Sequence, residues 1–251
     1  MSALLGRLDG KIRSAVCLQT GLHYDVGFLA KLKSWTRTTE VLSLAGVRYI
    51  DPSAGVHRSS GYRLLDQALR LWPISHAQRC DNPTCRRAAF IWGELVNHAN
   101  LSEATHERMA DLLGDAALHP FIQMTGSIRR GRLVDATGHD SYFRSLERLH
   151  LPITFIHGRG NATFRESATA RTHDALCAAN GAAGYRRHVV DGYGHMDCLI
   201  GRDAATDVFP LIERHLAQFT SDTTRGEGKT AAADCAPHSR ASAMGPAPSL
   251  A

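Results

Sequence analysis

The sequence predicts an α/β domain with a parallel sheet, and three observations carry that expectation. Short apolar runs at Lys11–Gln19, Leu151–His157 and Tyr185–Val190 read as strands. A helical stretch, Ser167–Asn180, separates the second from the third and meets a C-cap signal at Gly181. A final amphipathic segment, Asp203–Phe219, aligns Val208, Leu211, Ile212 and Leu216 on one face. Strand–helix–strand–helix order is the pattern of parallel strands joined by helical crossovers.

The first strand, KIRSAVCLQ, gains its apolar character from Ile12, Ala15, Val16 and Cys17. The second, LPITFIH, tolerates a proline near its start and runs into Gly158. The third, YRRHVV, leads into Asp191-Gly192-Tyr193-Gly194. Between about residues 24 and 149 helical patterns dominate, at Phe28–Trp35, Glu40–Leu44, Tyr62–Leu71, Arg86–Asn97, His106–Leu113 and Pro120–Ile128. Pro52, Gly55, Pro73 and Pro83 punctuate them. An insertion of that size between two strands forms a cap over the sheet edge where ligands bind. Residues 220–251 are rich in Ala, Gly, Pro, Ser and Thr, lack periodicity, and read as a disordered tail, so the expected domain is 1–219.

Composition removes several classes. The 251 residues are 43% hydrophobic and 21% charged, which excludes a wholly disordered chain. The net charge of +5 is scattered rather than clustered, so nucleic acid is not an expected partner. No apolar run reaches the ~20 residues of a membrane span, and MSALLGRLDGKIRSAVCLQT lacks the apolar core of a signal peptide. A cytoplasmic location and reduced thiols are therefore expected. Neither a dinucleotide-type glycine motif nor a phosphate-binding loop is present, so no cofactor is expected.

The chemistry concentrates in Asp191-Gly192-Tyr193-Gly194-His195-Met196-Asp197. A histidine in a glycine-rich turn after the last strand is placed as the general base of an α/β-hydrolase, able to take a proton from a serine or cysteine nucleophile. The orienting acid is expected after the preceding strand, in Gly158-Arg159-Gly160-Asn161, but the usual aspartate position holds Asn161. Glu166 is the substitute acid, with a first-turn helix role as its alternative. Asp197 lies too close in sequence to turn back onto the ring. No Gly-x-Ser-x-Gly elbow or cysteine equivalent exists, so the expectation is a base without a nucleophile. His157-Gly158-Arg159-Gly160 looks like an oxyanion stretch but has no elbow downstream.

Cys80 and Cys85 are spaced C-x4-C, and His98 and His106 follow. Eight residues between the histidines do not suit a ligand pair on one helical turn, so a disulfide or ordinary cap-loop thiols are favoured over zinc, and no metal is expected.

The stretches SAVCLQTGLH, RCDNPTCRRAAFIWGELVNHANLSEATHERMADLLG, LPITFIHG and YRRHVVDGYGHMDCLIG resemble an α/β-hydrolase module. It is the module at the C-terminal end of fused glucose–methanol–choline (cholesterol oxidase-like) oxidoreductase/hydrolase proteins. The resemblance covers residues 1 to about 218. It implies the C-terminal portion of an α/β-hydrolase fold with a large helical cap, truncated just after the nucleophile, which in that family lies upstream of the helix Met1–Leu8 resembles. His195 carries over onto the family's base, while Gly160-Asn161 stands where relatives often read Glu-Asn. The implied ancestral activity is hydrolysis of a small apolar ester or lipid-like substrate held under the cap, with Phe28, Trp35, Phe90, Trp92 and Phe121 as candidate lining or plain core. The expectation is a chain inactive by itself, seeking a separately encoded N-terminal half through its apolar sheet edge. The alternatives are a non-catalytic interaction module, a fragment of the flavin oxidoreductase fusion, and a working hydrolase using Ser14 or Ser59.

Overall fold

The computed structural model describes residues 11–53 and 60–220. Three strands, β1 (Ala15–Leu18), β4 (Ile153–Gly158) and β5 (Tyr185–Val190), form a parallel sheet in the order β1-β4-β5. β4 is central and buried along its whole length. Its alternation sends Ile153 and Phe155 to one face and Thr154 and Ile156 to the other. Phe155 packs with Leu149, Leu176 and Tyr185 beneath the helix Glu166–Asn180 that crosses from β4 to β5. Ile156 packs with Tyr193, Cys198, Ala204 and Val208 on the opposite face, where the C-terminal helix Phe209–Thr220 lies. On that face the Thr154 hydroxyl meets His215 Nδ1 at 2.8 Å. The result is a small parallel sheet covered on both faces by helices.

The strand at Tyr185–Val190 and the crossover helix match expectation within a residue. The first strand, Ala15–Leu18, is shorter than Lys11–Gln19, and Lys11 and Arg13 ahead of it are exposed. The expected helix Asp203–Phe219 is two helices, Ala204–Asp207 and Phe209–Thr220. Pro210 explains the break, since it lacks the N–H that a continuous helix would bond and its ring crowds the preceding turn.

The segment between β1 and β4 is mainly helical, as expected. α1 (Phe28–Trp35), α2 (Thr38–Leu44) and α7 (Leu118–Arg130) pack together, fixed by Arg129, whose guanidinium donates to Ser34 O and to Glu40 Oε1 at 2.7 and 2.9 Å. α3 (Ser60–Leu69) starts and ends two residues before the expected Tyr62–Leu71, and α4 (Pro83–Ile91) is shorter than the expected Arg86–Asn97. Asn82 caps it by accepting from Thr84 N, Pro83 occupies the first turn, and Gly93 at φ +108° ends it. The expected helix His106–Leu113 is instead α5 (Glu103–Glu107), capped by Ser102, and α6 (Met109–Leu112). A two-residue antiparallel ribbon, β2 (Tyr49–Ile50) with β3 (Ala116–Ala117), has no sequence precedent among the expected elements. The expected tail and the Met1–Leu8 helix lie outside the described residues, apart from Thr220, which ends the last helix.

Candidate active site

Each of the three parallel strands delivers one polar side chain just beyond its carboxyl end: Gln19 after β1, Asn161 after β4 and His195 after β5. That end of a parallel sheet is where open α/β folds bind ligands. The loop carrying His195 sits directly on β4. A Cβ at Gly158 would lie 2.5 Å from Tyr193 O and 2.6 Å from Gly194 O, so only glycine allows this approach. Gly160 N donates to Tyr193 O at 2.9 Å and completes the seat.

His195 Nδ1 faces the Asn161 amide nitrogen at 3.1 Å. Asn161 Oδ1 is already occupied, accepting from Thr163 N and Phe164 N at 3.0 Å each. Asn161 Nδ2 also donates to Gln19 Oε1 at 2.8 Å. Gln19 Oε1 in turn accepts from Gly158 N at 3.0 Å, while Gln19 Nε2 donates to Gly194 O at 2.9 Å. Turning either amide over would break at least one of these bonds, so the network fixes both orientations. Nδ1 of His195 therefore accepts a hydrogen bond, and the ring proton sits on Nε2.

That tautomer is the reverse of the one a triad base needs, which carries Nδ1–H toward a carboxylate and keeps an Nε2 lone pair for the nucleophile. Burial, followed by repulsion from His157, pushes the His195 pKa down to about 4, against a smaller opposing pull from Asp197. The ring is neutral near pH 7. His157, at the end of β4, is fully buried and contacts Phe164 O through Nε2 at 3.1 Å; burial lowers its pKa too.

The candidate acid Glu166 sits elsewhere. It opens the crossover helix and binds Arg187 at 2.8 Å and Arg159 at 3.0 Å, while Asn161 takes the place beside the ring. Asp197 does not reach the ring either. Fully buried, it accepts from Gly194 N at 2.8 Å and from Asn100 Nδ2 at 2.6 Å, and so holds the loop. Ser14 precedes β1, at the amino end of the sheet and away from His195, and cannot act as its nucleophile; Ser59 lies outside the described residues. Among the described residues, Asn161 is the only side chain hydrogen-bonded to the His195 ring.

His195 lines a cavity of about 530 Å³ between the sheet and the cap. Its walls are mainly apolar: Leu42, Ile50, Phe90, Trp92, Leu95, Phe121, Met124, Ile128 and Phe164. Of the aromatic residues expected there, Phe90, Trp92 and Phe121 line it, whereas Phe28 and Trp35 are 73% and 69% exposed. Lys33 is the cation of the lining. It donates to the free carbonyls of Phe90 and Ile91 at the end of α4, and burial lowers its pKa to about 8.

A second cluster lies in the cap. One ligand-capable atom from each of Cys80, Cys85, His98 and His106 falls within 4.8 Å of all the others. The two cysteines are free thiols, the second of the two readings that the C-x4-C spacing offered. The eight-residue separation does not keep the histidines apart. His98 and His106 belong to different elements, a 3-10 turn (His98–Asn100) and α5, and the intervening chain turns back so that the rings meet edge to face at 4.9 Å. The Cys80 thiol is pulled far below its ordinary range, chiefly by the adjoining Cys85 thiol and further by the two imidazoles.

No protein-family model matches the chain, and no curated protein matches it. Among solved structures it is similar to DcsB in complex with its substrate analogue, at 12% identity and a TM-score of 0.42. That alignment covers 87% of this chain and 61% of the other, so the chain spans under two thirds of that protein's length.

Proposed function

We propose that this chain is an α/β-hydrolase-type module whose cavity binds a small apolar ester or lipid-like molecule without hydrolysing it by itself. One observation carries the proposal: the locked Asn161 amide gives His195 an Nε2–H, making the ring a hydrogen-bond donor to a ligand rather than a base. An ester or acyl carbonyl is the acceptor that suits such a donor, and the apolar walls suit its chain. In a triad enzyme, an amide at the acid position leaves the geometry intact and lowers kcat about 10⁴-fold by imposing the wrong tautomer.

The expected result is saturable displacement of an environment-sensitive fluorescent fatty-acyl probe by medium-chain esters, weakened in His195→Phe and in Phe121→Arg. Neither p-nitrophenyl ester turnover nor fluorophosphonate labelling is expected. Turnover that disappears in His195→Ala would overturn the proposal, as would a complete lack of binding. Completion by a separately encoded N-terminal half is the second proposal. Its support is that β1 pairs only with β4 among the described residues, leaving one edge open to a further strand. Co-purification of such a half in a stable one-to-one complex would favour it, and failure of the chain to bind it would count against it.

A further inference from the structure

We propose that Cys80, Cys85, His98 and His106 form a structural zinc site that stiffens the segment on which the loop carrying His195 is seated. Two thiolates and two imidazoles are the donor set of closed, tetrahedral zinc centres, and four protein ligands leave no position for substrate or water. Ligand atoms around such an ion are about 3.3–3.8 Å apart for bonds of about 2.0–2.3 Å. The four atoms here, all within 4.8 Å of one another, reach that spacing by small side-chain rotations.

The surroundings are those of a built site. Cys85 is 2% exposed within an apolar cluster that includes Ala88, Leu101 and Met109, and Cys80 packs against the same cluster. His106 Nε2 is buried and, among the described residues, has no hydrogen-bond partner, so its ring reaches the cluster with no competing bond to break. The ligand-bearing segments are also fixed to each other: Asn82, between the two cysteines, donates through Nδ2 to His106 O at 3.1 Å. Arg86 Nη1 holds Cys80 O at 3.0 Å. These two bonds fix the backbone from which Cys80 and His106 project.

The site also has a mechanical consequence. Asn97 and Asn100 flank His98, and both donate to Gly192 O, at 3.0 and 2.8 Å. Leu95 O accepts from His195 N and Met196 N at 3.1 and 2.7 Å. The chain that supplies His98 is therefore the chain that seats His195, and an ion on His98 immobilises both.

The test is metal analysis of the full chain purified under reducing conditions without added chelator. About one zinc per chain is expected. Cobalt(II) added to metal-free protein should produce the visible bands of tetrahedral cobalt and the near-ultraviolet thiolate charge transfer, and zinc should bleach both. Cys80→Ser and His106→Gln should each lose the metal, and chelation should lower the melting temperature of the parent but not of either variant. The cobalt spectrum is read on the parent protein, so it decides the matter even where a variant fails to fold. Absence of zinc together with a featureless cobalt titration overturns the proposal. So does zinc retained in both variants, or a Cys80–Cys85 disulfide that persists under reduction. None of these readouts depends on ligand binding in the His195 cavity.

Discussion

Asn161→Asp should reverse the tautomer of His195 and raise its pKa by about three units. The new carboxylate keeps Oδ1 on Thr163 N and Phe164 N and puts Oδ2 where Nδ2 now faces the ring at 3.1 Å. A negative charge with its centre about 4 Å from an imidazolium is worth about 4 kcal/mol at an effective dielectric constant near 20. At about 1.4 kcal/mol per unit that is about three pK units, enough to bring the ring from about 4 up to about 7. The exchange has a cost, because Oδ2 would confront Gln19 Oε1, to which Nδ2 now donates at 2.8 Å. Losing that bond and opposing two acceptors should remove about 1–3 kcal/mol of stability. Long-range nitrogen–carbon-bound-proton correlation NMR of the imidazoles reads both tautomer and pKa. The parent protein should show His195 as the neutral Nε2–H form down to about pH 5, and the variant should show Nδ1–H with a midpoint near neutrality. A parent ring already protonated on Nδ1, or titrating at an ordinary pKa, would refute the assignment of the Asn161 amide. The variant should remain without esterase activity, since the change supplies an acid and no nucleophile.

Acid should destabilise the fold earlier than carboxylate titration would. Burial chiefly pushes His195 and His23 each down to about 4 in the folded chain, against an ordinary value of 6.5. Between pH 6.5 and about 4 the unfolded chain therefore binds more protons, so stability is full above that window and falls as pH drops through it, by about 3 kcal/mol for His195 alone. Denaturant midpoints at pH 7, 5.5 and 4.5 should fall in that order, and His195→Gln should flatten the trend; a midpoint constant to pH 4.5 would contradict the buried neutral rings. Gly158→Ala pushes a methyl against the carbonyls of Tyr193 and Gly194 and should cost about 1–3 kcal/mol or more in urea unfolding, where a neutral result would mean the loop does not rest on β4. Gln19→Leu strands Gly158 N in a buried setting at about 1–3 kcal/mol, leaves Gly194 O with the weak Cys198 thiol donor, and should also release the Asn161 amide, visible as mixed His195 tautomers in the same NMR experiment.

The parts of the fold visible in the sequence are those whose local signals agree with their tertiary setting. Tyr185–Val190 and Phe28–Trp35 fall within the expected bounds because apolar period and flanking breakers coincide there. Two helices differ from expectation at cues of one or two residues: Pro210 divides the last helix, and Asn82 with Pro83 starts α4 earlier than its apolar period suggests. The ribbon at Tyr49–Ile50 and Ala116–Ala117 has no local signal at all, since two-residue strands are defined only by the partner they meet.

The site divides the same way, and the division explains its chemistry. His195 announces itself through the glycine-rich turn after a strand, and Asn161 through its place after the preceding one. Gln19 carries no motif and stands in the sequence as the last residue of a strand, although its φ of 59° turns its side chain out of the sheet ladder and into the network that sets the proton on His195. The proximity of Cys80, Cys85, His98 and His106 is hidden for a related reason, because spacing along one helix does not describe a chain that folds back between His98 and His106 through a turn, a Ser102 cap and a new helix. In both cases the decisive contact joins residues whose sequence separation has no regular period, so no window on the sequence contains it. The two cases meet in the segment from Leu95 to Asn100, which holds the His195 loop through Leu95 O, Asn97 and Asn100 while presenting His98 to the thiols. A substitution at Asn100 should therefore disturb the ring of His195 without touching it, because Asn100 Nδ2 anchors both Gly192 O and Asp197. Asn100→Ala should broaden or shift the His195 imidazole signals and lower the melting temperature by several degrees. An unchanged His195 spectrum in that variant would separate the loop from the cap and remove the mechanical link between the two sites.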